Sequence, residues 1–403
     1  MPKALNIGLI GSGFMGQAHA DAYRRARTLY HDLPLRPRLV AIADQGDQAA
    51  RAAAERLDVE RAYGDWRELV ADPEVEVVDI TSPNALHFDM AMAAIDHGKH
   101  VYCEKPLAMN DDQAAKMAEA ARARGVKTMV AFNNIKTPAA LLARRLIDEG
   151  AIGTPMRFRG TFDQGFFNDP ELPWSWRCSR QQAGTGSLGD LGAHTISVAQ
   201  FLMGDIEEVC AQSQILFATR PVLDGACEGA GYASKATAGA ERREVENDDQ
   251  TQALVRFANG AGGVIESSRV AAGKVFGIGW EVSGSEGTLV MDGERFNELK
   301  LFRYADRRED RGFKTLLAGS QVPQFRAFFP FDYGGGGIGY FDVKVIEVHD
   351  LVQGIASSAG CFPDFAFGRH NQNILTAIDV SCQERRWVSV PDPQQRSSAQ
   401  LTP

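Results

Sequence analysis

Three polar side chains in this 403-residue chain are set where ordinary packing does not need them: Lys105, Asp190 and His194. Lys105 follows His100-Val101-Tyr102-Cys103-Glu104, whose first four residues read as a buried strand that Pro106 then ends. Ligands of open α/β sheets sit at the carboxyl ends of the strands, so an ammonium there is a fixed proton donor. A surface Glu-Lys pair before a loop proline is the plainer alternative. Asp190 and His194 stand four residues apart in Gly189-Asp190-Leu191-Gly192-Ala193-His194. The pattern predicts a helix from Asp190 to Met203, closed by Gly204 and apolar on nearly every side through Leu191, Ile196, Val198, Phe201 and Leu202. Residues at this spacing share a helix face. Two ionisable groups on a buried helix are costly unless paired or used. The plainer alternative is an Asp N-cap with a satisfied core histidine.

The hydride acceptor that would give these groups a purpose is announced at the N-terminus. Leu5-Asn6-Ile7-Gly8-Leu9-Ile10 reads as a strand running into Gly11-Ser12-Gly13-Phe14-Met15-Gly16, with a helix from Gln17 onward. This is the G-x-G-x-x-G fingerprint in its required setting, strand before and helix after. Gly11 permits the tight turn, Gly13 lets the backbone approach a pyrophosphate, and Gly16 lets helix and strand pack closely. The free N–H groups of the helix N-terminus then face the phosphates. Asp44 ends a second strand over 38–43 and is the candidate partner of the adenosine ribose hydroxyls, unless it is a turn residue. It lies farther from the glycines than the usual ~20 residues, which an insertion around 30–37 with its two prolines explains. Gln45-Gly46-Asp47 brings no cation for a 2′-phosphate, so NAD is expected over NADP.

Strand and helix go on alternating. A short helix over 65–71, a strand over 75–81, a helix capped by Asn84 and stopped near Gly98, and a helix over 111–124 with Asn110 and Gln113 as a capping box are expected. A strand over 128–132 closes the series. Such alternation means a parallel sheet with right-handed crossovers. Its crevice is lined by the Gly11 turn, the Ser82-Pro83-Asn84 turn, Lys105 and Asn133. Beyond Gly150 the pattern changes to strands over 156–162, 207–216, 251–257, 263–270, 280–283, 287–291 and 299–304, without helices between the later ones, which implies a largely antiparallel sheet. The polar, Gly/Ala-rich segment 220–248 reads as a long loop. Helices are expected over 341–355 and 369–384.

At this point the chain resembles the glucose–fructose oxidoreductase/inositol dehydrogenase/MocA family. The resemblance rests on the glycine fingerprint, Asp44, Glu104-Lys105-Pro106, Ala131-Phe132-Asn133, Trp176-Arg177 and the 186–194 stretch, and is nearest to the sugar- and cyclitol-oxidising branch, such as the inositol and levoglucosan dehydrogenases. It implies an NAD-binding Rossmann domain over 1–133 and a substrate-binding and oligomerisation α+β domain over 134–390. The helix about 369–384 would pack back on the first domain, and 391–403 would form a tail. It also implies Lys105, Asp190 and His194 as the catalytic set. Around them the cofactor would meet Gly11, Gly13, Phe14, Met15, Gly16, Asp44, Ser82, Asn84, His87, Glu104, Lys105, Asn133, Trp176 and Arg177. Substrate would meet Lys105, Asn133, Trp174, Asp190, His194 and Tyr340. Trp174 also fits ordinary packing, and Tyr340, in the glycine-rich stretch 334–342, also fits a linker. A partner subunit is expected over the open sheet face, as homodimer or homotetramer.

The reaction implied is hydride transfer between a ring secondary alcohol of a cyclic sugar or polyol and nicotinamide. An imidazole with a pKa near ~6.5 accepts the hydroxyl proton, and an ammonium stabilises the developing alkoxide. Whether Lys105 or His194 is the immediate base stays open, since the two would titrate together. The alternatives are a glycosidase using transient oxidation by NAD and a non-catalytic dinucleotide-binding regulator. The formal net charge of −9 argues against non-specific nucleic-acid binding. No apolar run approaches the ~20 residues of a membrane span and no secretory signal is read, so a cytoplasmic location is expected. The six cysteines have no zinc-like spacing and His97-x-x-His100 straddles a glycine, so no metal is expected.

Overall fold

The computed structural model describes residues 2–223, 240–329 and 337–391, which form two compact units. The first comprises the chain to Asn133 together with Ile338–Arg369; the second comprises Asn134–Gly337 and the chain from His370. The sequence pattern assigned all of 134–390 to the second domain, so the segment 338–369 is the difference. It joins the first unit because its helix Tyr340–Ala356 packs on the helix Phe14–Leu29 that follows the glycine turn. The last helix runs Phe365–Glu384, and only its first turn groups with the first unit.

In the first unit, strands β1 (Lys3–Ile10), β2 (Leu35–Ala43), β3 (Arg61–Tyr63), β4 (Val77–Ile80), β5 (His100–Cys103) and β6 (Thr128–Val130) form a parallel sheet in the order β3-β2-β1-β4-β5-β6. The order reverses between β1 and β4, which opens the ligand crevice of a doubly wound sheet. β4 and the core of β5 are buried on both faces, as strands sandwiched between helices must be. β2 starts earlier than expected and contains Pro37, paired with Leu5. β3 joins β2 only from Ala41, so Pro37 lies where the strand has one neighbour and a missing N–H is tolerated. The helix Asp111–Arg124 is capped by Asn110, whose side chain accepts from the Gln113 N–H, and Gly125 closes it in the left-handed region at φ 70°. Gln113 reaches back to the N–H of Met109 rather than to that of Asn110. Asn84 is not the expected cap: it opens a 3-10 turn, Asn84–Leu86, entered from Pro83, and the α-helix proper is His87–Asp96.

In the second unit, β7 (Pro155–Asp163), β8 (Ile206–Gln214), β9 (Thr219–Pro221), β10 (Arg242–Glu244), β11 (Gln250–Phe257), β12 (Gly262–Ser268), β13 (Gly277–Gly284), β14 (Gly287–Asp292), β15 (Glu298–Arg303), β16 (Lys314–Leu317) and β17 (Val388–Ser389) are the strands. Nine of them form one sheet, β16-β15-β14-β13-β7-β12-β11-β8-β17. Only β7 and β12 pair in parallel; the other neighbours are antiparallel. β9 and β10 form a separate ladder inside the segment expected to be loop. Order there is secured by Arg220, a fully buried guanidinium that donates to the carbonyls of Asp169 and Phe167 at 2.8 and 2.6 Å. Short β16 and β17 carry too few residues for a period to be read, and were not foreseen. The helix Ala193–Met203 lies on β7, β12 and β13, with Thr195 filling the space above Gly160. Among the described residues no helix is long and apolar enough to cross a membrane, and no cluster of three or more His, Cys, Asp or Glu is arranged to hold a metal.

Candidate active site

The cofactor end of the first unit is built at the carboxyl ends of its strands. Gly11 follows β1 at φ 96°, a conformation that strains any residue with a Cβ. A Cβ at Gly16 would lie 2.1 Å from the Gly11 carbonyl, so the third glycine is fixed by close packing. A Cβ at Gly13 would meet nothing within 4 Å, leaving the cradle open to a pyrophosphate. These residues fit a dinucleotide. Phe14 and Met15 open the helix, and Phe14, largely exposed, packs its ring on Phe341 at 5.6 Å. Asp44 fastens the turn: one carboxylate oxygen accepts from the backbone N–H and hydroxyl of Ser12, the other from the Gln45 N–H at 2.7 Å. Arg56, at the end of the helix Asp47–Arg56, donates to the Ser12 carbonyl at 3.0 Å. A cation beside this turn is a feature the sequence reading missed, because helix length rather than proximity to Asp44 brings it there.

His87 and Glu104 have roles the motif did not convey. The His87 ring is enclosed, with one nitrogen 2.9 Å from the Pro106 carbonyl and the other 3.0 Å from the Ser82 carbonyl. Burial pushes its pKa down, and a neutral ring has one N–H to give. His87 is thus a strut joining the Ser82 turn to the Lys105-Pro106 turn. His19 is buried under the opposite conditions. Its Nδ1 lies 3.0 Å from both oxygens of Asp79 and its Nε2 3.2 Å from Glu104 Oε1. Burial opposes its charge, but the Asp79 carboxylate prevails and the pKa is raised. Glu104 lies beneath Lys105, whose backbone N–H it receives on Oε2 at 3.1 Å. Burial would raise its pKa; the ammonium of Lys344 at 2.9 Å and His19 hold it well below the carboxylate range. Lys344 also pairs with Glu347 at 2.9 Å, and Glu347 receives the Tyr102 hydroxyl at 2.8 Å. Asn133, buried after β6, shares a side-chain hydrogen bond with Tyr340, whose hydroxyl burial pushes up to about 12. Gly334 to Gly336 of the glycine-rich stretch lie outside the described residues.

The second unit presents Asp190 and His194 differently. The expected single helix is instead a π-helical turn over Leu188–Gly192 that passes into the α-helix Ala193–Met203. π turns recur at functional sites, where they re-aim side chains. The turn is held from outside by Asp248, which accepts from the Gly186 N–H at 2.6 Å, the Ser187 hydroxyl at 2.6 Å, the Leu188 N–H at 2.9 Å and the Thr251 hydroxyl at 3.0 Å. A Cβ at Gly186 would sit 1.9 Å from the Asp248 carbonyl, so glycine is obligatory there. Asp190 is therefore no N-cap. Its carboxylate lies 3.6 Å from the guanidinium of Arg177, which is stacked over Trp176 at 4.4 Å. The Arg177 carbonyl is pinned by Asn247 at 2.9 Å. His194 is buried and lies edge-on to Phe162 at 5.7 Å. Trp174 donates its indole N–H to the Glu244 carbonyl at 2.9 Å and packs against Phe167, Leu172 and Cys178. Asp248 could not be singled out in the sequence, because a carboxylate in a polar segment carries no period.

A glycine turn on the first strand, an acidic residue ending the second and a separate, largely antiparallel sheet define a two-unit dinucleotide-binding oxidoreductase. The comparisons agree. Residues 5–132 match the model of an oxidoreductase family with an NAD-binding Rossmann fold, and residues 140–290 match the GFO/IDH/MocA C-terminal domain. The levoglucosan dehydrogenase of Pseudarthrobacter phenanthrenivorans is 39% identical over 389 residues, 96% of this chain and 98% of that protein. An NAD binding oxidoreductase from Klebsiella pneumoniae superposes with a TM-score of 0.91 at 65% identity, covering 96% of this chain and all of the other. A levoglucosan dehydrogenase in complex with NADH and levoglucosan gives 0.90 at 38% identity, over 97% and 100% of the two chains. The chain belongs to the GFO/IDH/MocA family of oxidoreductases.

Proposed function

We propose that the protein is an NAD-dependent dehydrogenase that oxidises a ring secondary alcohol of a cyclic sugar or polyol, with anhydrosugars and inositols the first candidates. The observation that supports this most is the end-to-end likeness to levoglucosan dehydrogenase in a chain that carries Lys105, Asp190 and His194. When bound, nicotinamide supplies the hydride acceptor. Of the chain's own groups, the glycine turn receives the pyrophosphate on backbone N–H groups, and Asp44 turns from Ser12 to the adenosine ribose hydroxyls. Its charge disfavours a 2′-phosphate, which gives NAD the preference over NADP.

Lys105 donates a hydrogen bond to the reacting oxygen and stabilises charge developing on it. His194 accepts the hydroxyl proton. Asp190, oriented by Arg177, receives a neighbouring hydroxyl of the ring. Asn133 and Tyr340 are proposed as further substrate contacts, and Trp176-Arg177 as the pair at the nicotinamide end. A homodimer or homotetramer is proposed, with the open face of the nine-stranded sheet covered by a second copy.

The test is a panel of inositols, aldoses and anhydrosugars offered with NAD and scored by NADH absorbance. NADH formation with at least one ring alcohol is expected. Silence across the panel would end the reading, and glycoside cleavage without net NADH would replace it with a transient-oxidation glycosidase.

A further inference from the structure

Beneath Lys105 lies a chain of ionisable and hydroxyl groups that the proposed reaction does not itself employ. Lys344, 1% exposed on its side chain, stands between Glu104 and Glu347 at 2.9 Å from each. Glu104 also meets His19, which is held by Asp79, and Asp79 receives the Tyr23 hydroxyl at 2.8 Å. An ammonium is tolerated at such depth only when paired on well-placed carboxylates.

We infer that Lys344 is a positioning residue for the proposed reaction: it grips the Glu104 carboxylate, which in turn fixes the backbone that carries Lys105. The inference rests on the role given to Lys105 above. The sheet cannot do this work. β5 ends at Cys103, and the Glu104 N–H makes the last ladder-like bond, to the Ile80 carbonyl at 2.9 Å. The next N–H, that of Lys105, goes to Glu104 Oε2, a side chain and not a strand. That oxygen is aimed correctly only because the other, Oε1, is held from within by Lys344 and His19.

Lys344 rides on a helix with its own anchors beside the glycine turn. Asp342 pairs with Arg25 and receives the Gly339 N–H at 2.7 Å, while Phe341 packs on Phe14. Tyr340 stands four residues before Lys344, on the same helix face, and meets Asn133. One helix therefore steadies both Lys105 and the Tyr340–Asn133 pair, which a purely structural ion pair would have no reason to combine.

The test uses the full-length enzyme, NAD and the polyol that the wild type oxidises best, with folding followed in parallel. Lys344→Met and Glu104→Gln are each expected to lower kcat by about tenfold or more while the Kd for NAD and the polyol KM move less than about threefold. The double variant is expected to be no slower than the slower single, because both act through one contact. Losses that multiply, or a folded Lys344→Met enzyme with wild-type kcat, would overturn the inference. Should Lys344→Met not fold, Glu347→Gln decides: it keeps the grip on Glu104, so kcat should stay within about twofold while Glu104→Gln loses its tenfold. Equal losses in those two would overturn the inference as well. A wild type that makes no NADH from any polyol removes the reading underneath, whereas an active wild type with an indifferent Lys344 removes this inference alone.

Discussion

The two units support the lysine and the histidine proposed to react by different means. In the first, Lys105 stands over a buried web of charges, Glu104, Lys344, Glu347, His19 and Asp79, each needing a partner of opposite sign or a donor. In the second, His194 is buried edge-on to Phe162, and the Asp248 carboxylate holds the preceding π turn through backbone N–H and hydroxyl donors. The first arrangement holds the backbone that carries Lys105 by paired charges and depends on the Glu104–Lys344 pair. The second holds the turn that leads to the imidazole by hydrogen bonds to one carboxylate. Two ways of holding a group proposed to handle a proton thus occur in one chain, and they are expected to fail in different ways.

The sharpest break is at the reactive groups themselves. Lys105→Ala and His194→Ala are expected to cost on the order of 10³-fold or more in turnover, with NAD affinity nearly unchanged in calorimetry, since general acid–base groups contribute ~10²–10⁴-fold. Near-normal rates in both would refute the assignment. Lys344→Met should next destabilise the first unit by about 3–5 kcal/mol, the usual cost of leaving buried carboxylates unpaired, read from denaturant unfolding. Asp248→Ala should cost less, about 2–3 kcal/mol, because charge-assisted hydrogen bonds and not an ion pair are lost. A reversal of that order would contradict the contrast drawn between the units.

Two smaller effects refine it. Asp44→Ala should relax the preference against NADP, and adding Arg56→Ala should then weaken NADP again; cofactor kinetics that ignore Arg56 would remove it from the adenosine end. His19 offers a pH test. Its raised pKa means that its stabilising contribution is complete below the unfolded value of about 6.5 and is lost as pH climbs through the folded value. Hydrogen exchange in the first unit should therefore quicken as pH rises through that window, after correction for intrinsic rates, and His19→Asn should remove the dependence. Exchange that slowed over the same range would invert the sign and exclude a charged His19.

Several features were legible before any coordinates because they are local. The glycine turn, the Asn110 cap with Gly125, the β-strand periods of β7 and β11 to β15, and Glu104-Lys105-Pro106 at a strand end each follow from the steric or hydrogen-bonding demands of a few consecutive residues. The parallel sheet followed from alternation alone. By contrast, the helix Tyr340–Ala356 was expected correctly as a helix but placed in the wrong unit, because a helical period says which face is buried and never against what.

The same limit separates the two halves of the candidate site. Amino-acid types and short spacings determined that this chain folds a dinucleotide cradle, and they supplied the lysine, aspartate and histidine that we propose act on an alcohol. Tertiary structure alone decided that His87 is a strut, that Asp248 holds a π turn 60 residues away in sequence, and that Lys344 reaches Glu104 across 240 positions. Charge pairs and caps of that kind depend on which residues the packed elements bring within about 3 Å, the range over which a hydrogen bond is made. No periodicity in the chain records such a distance.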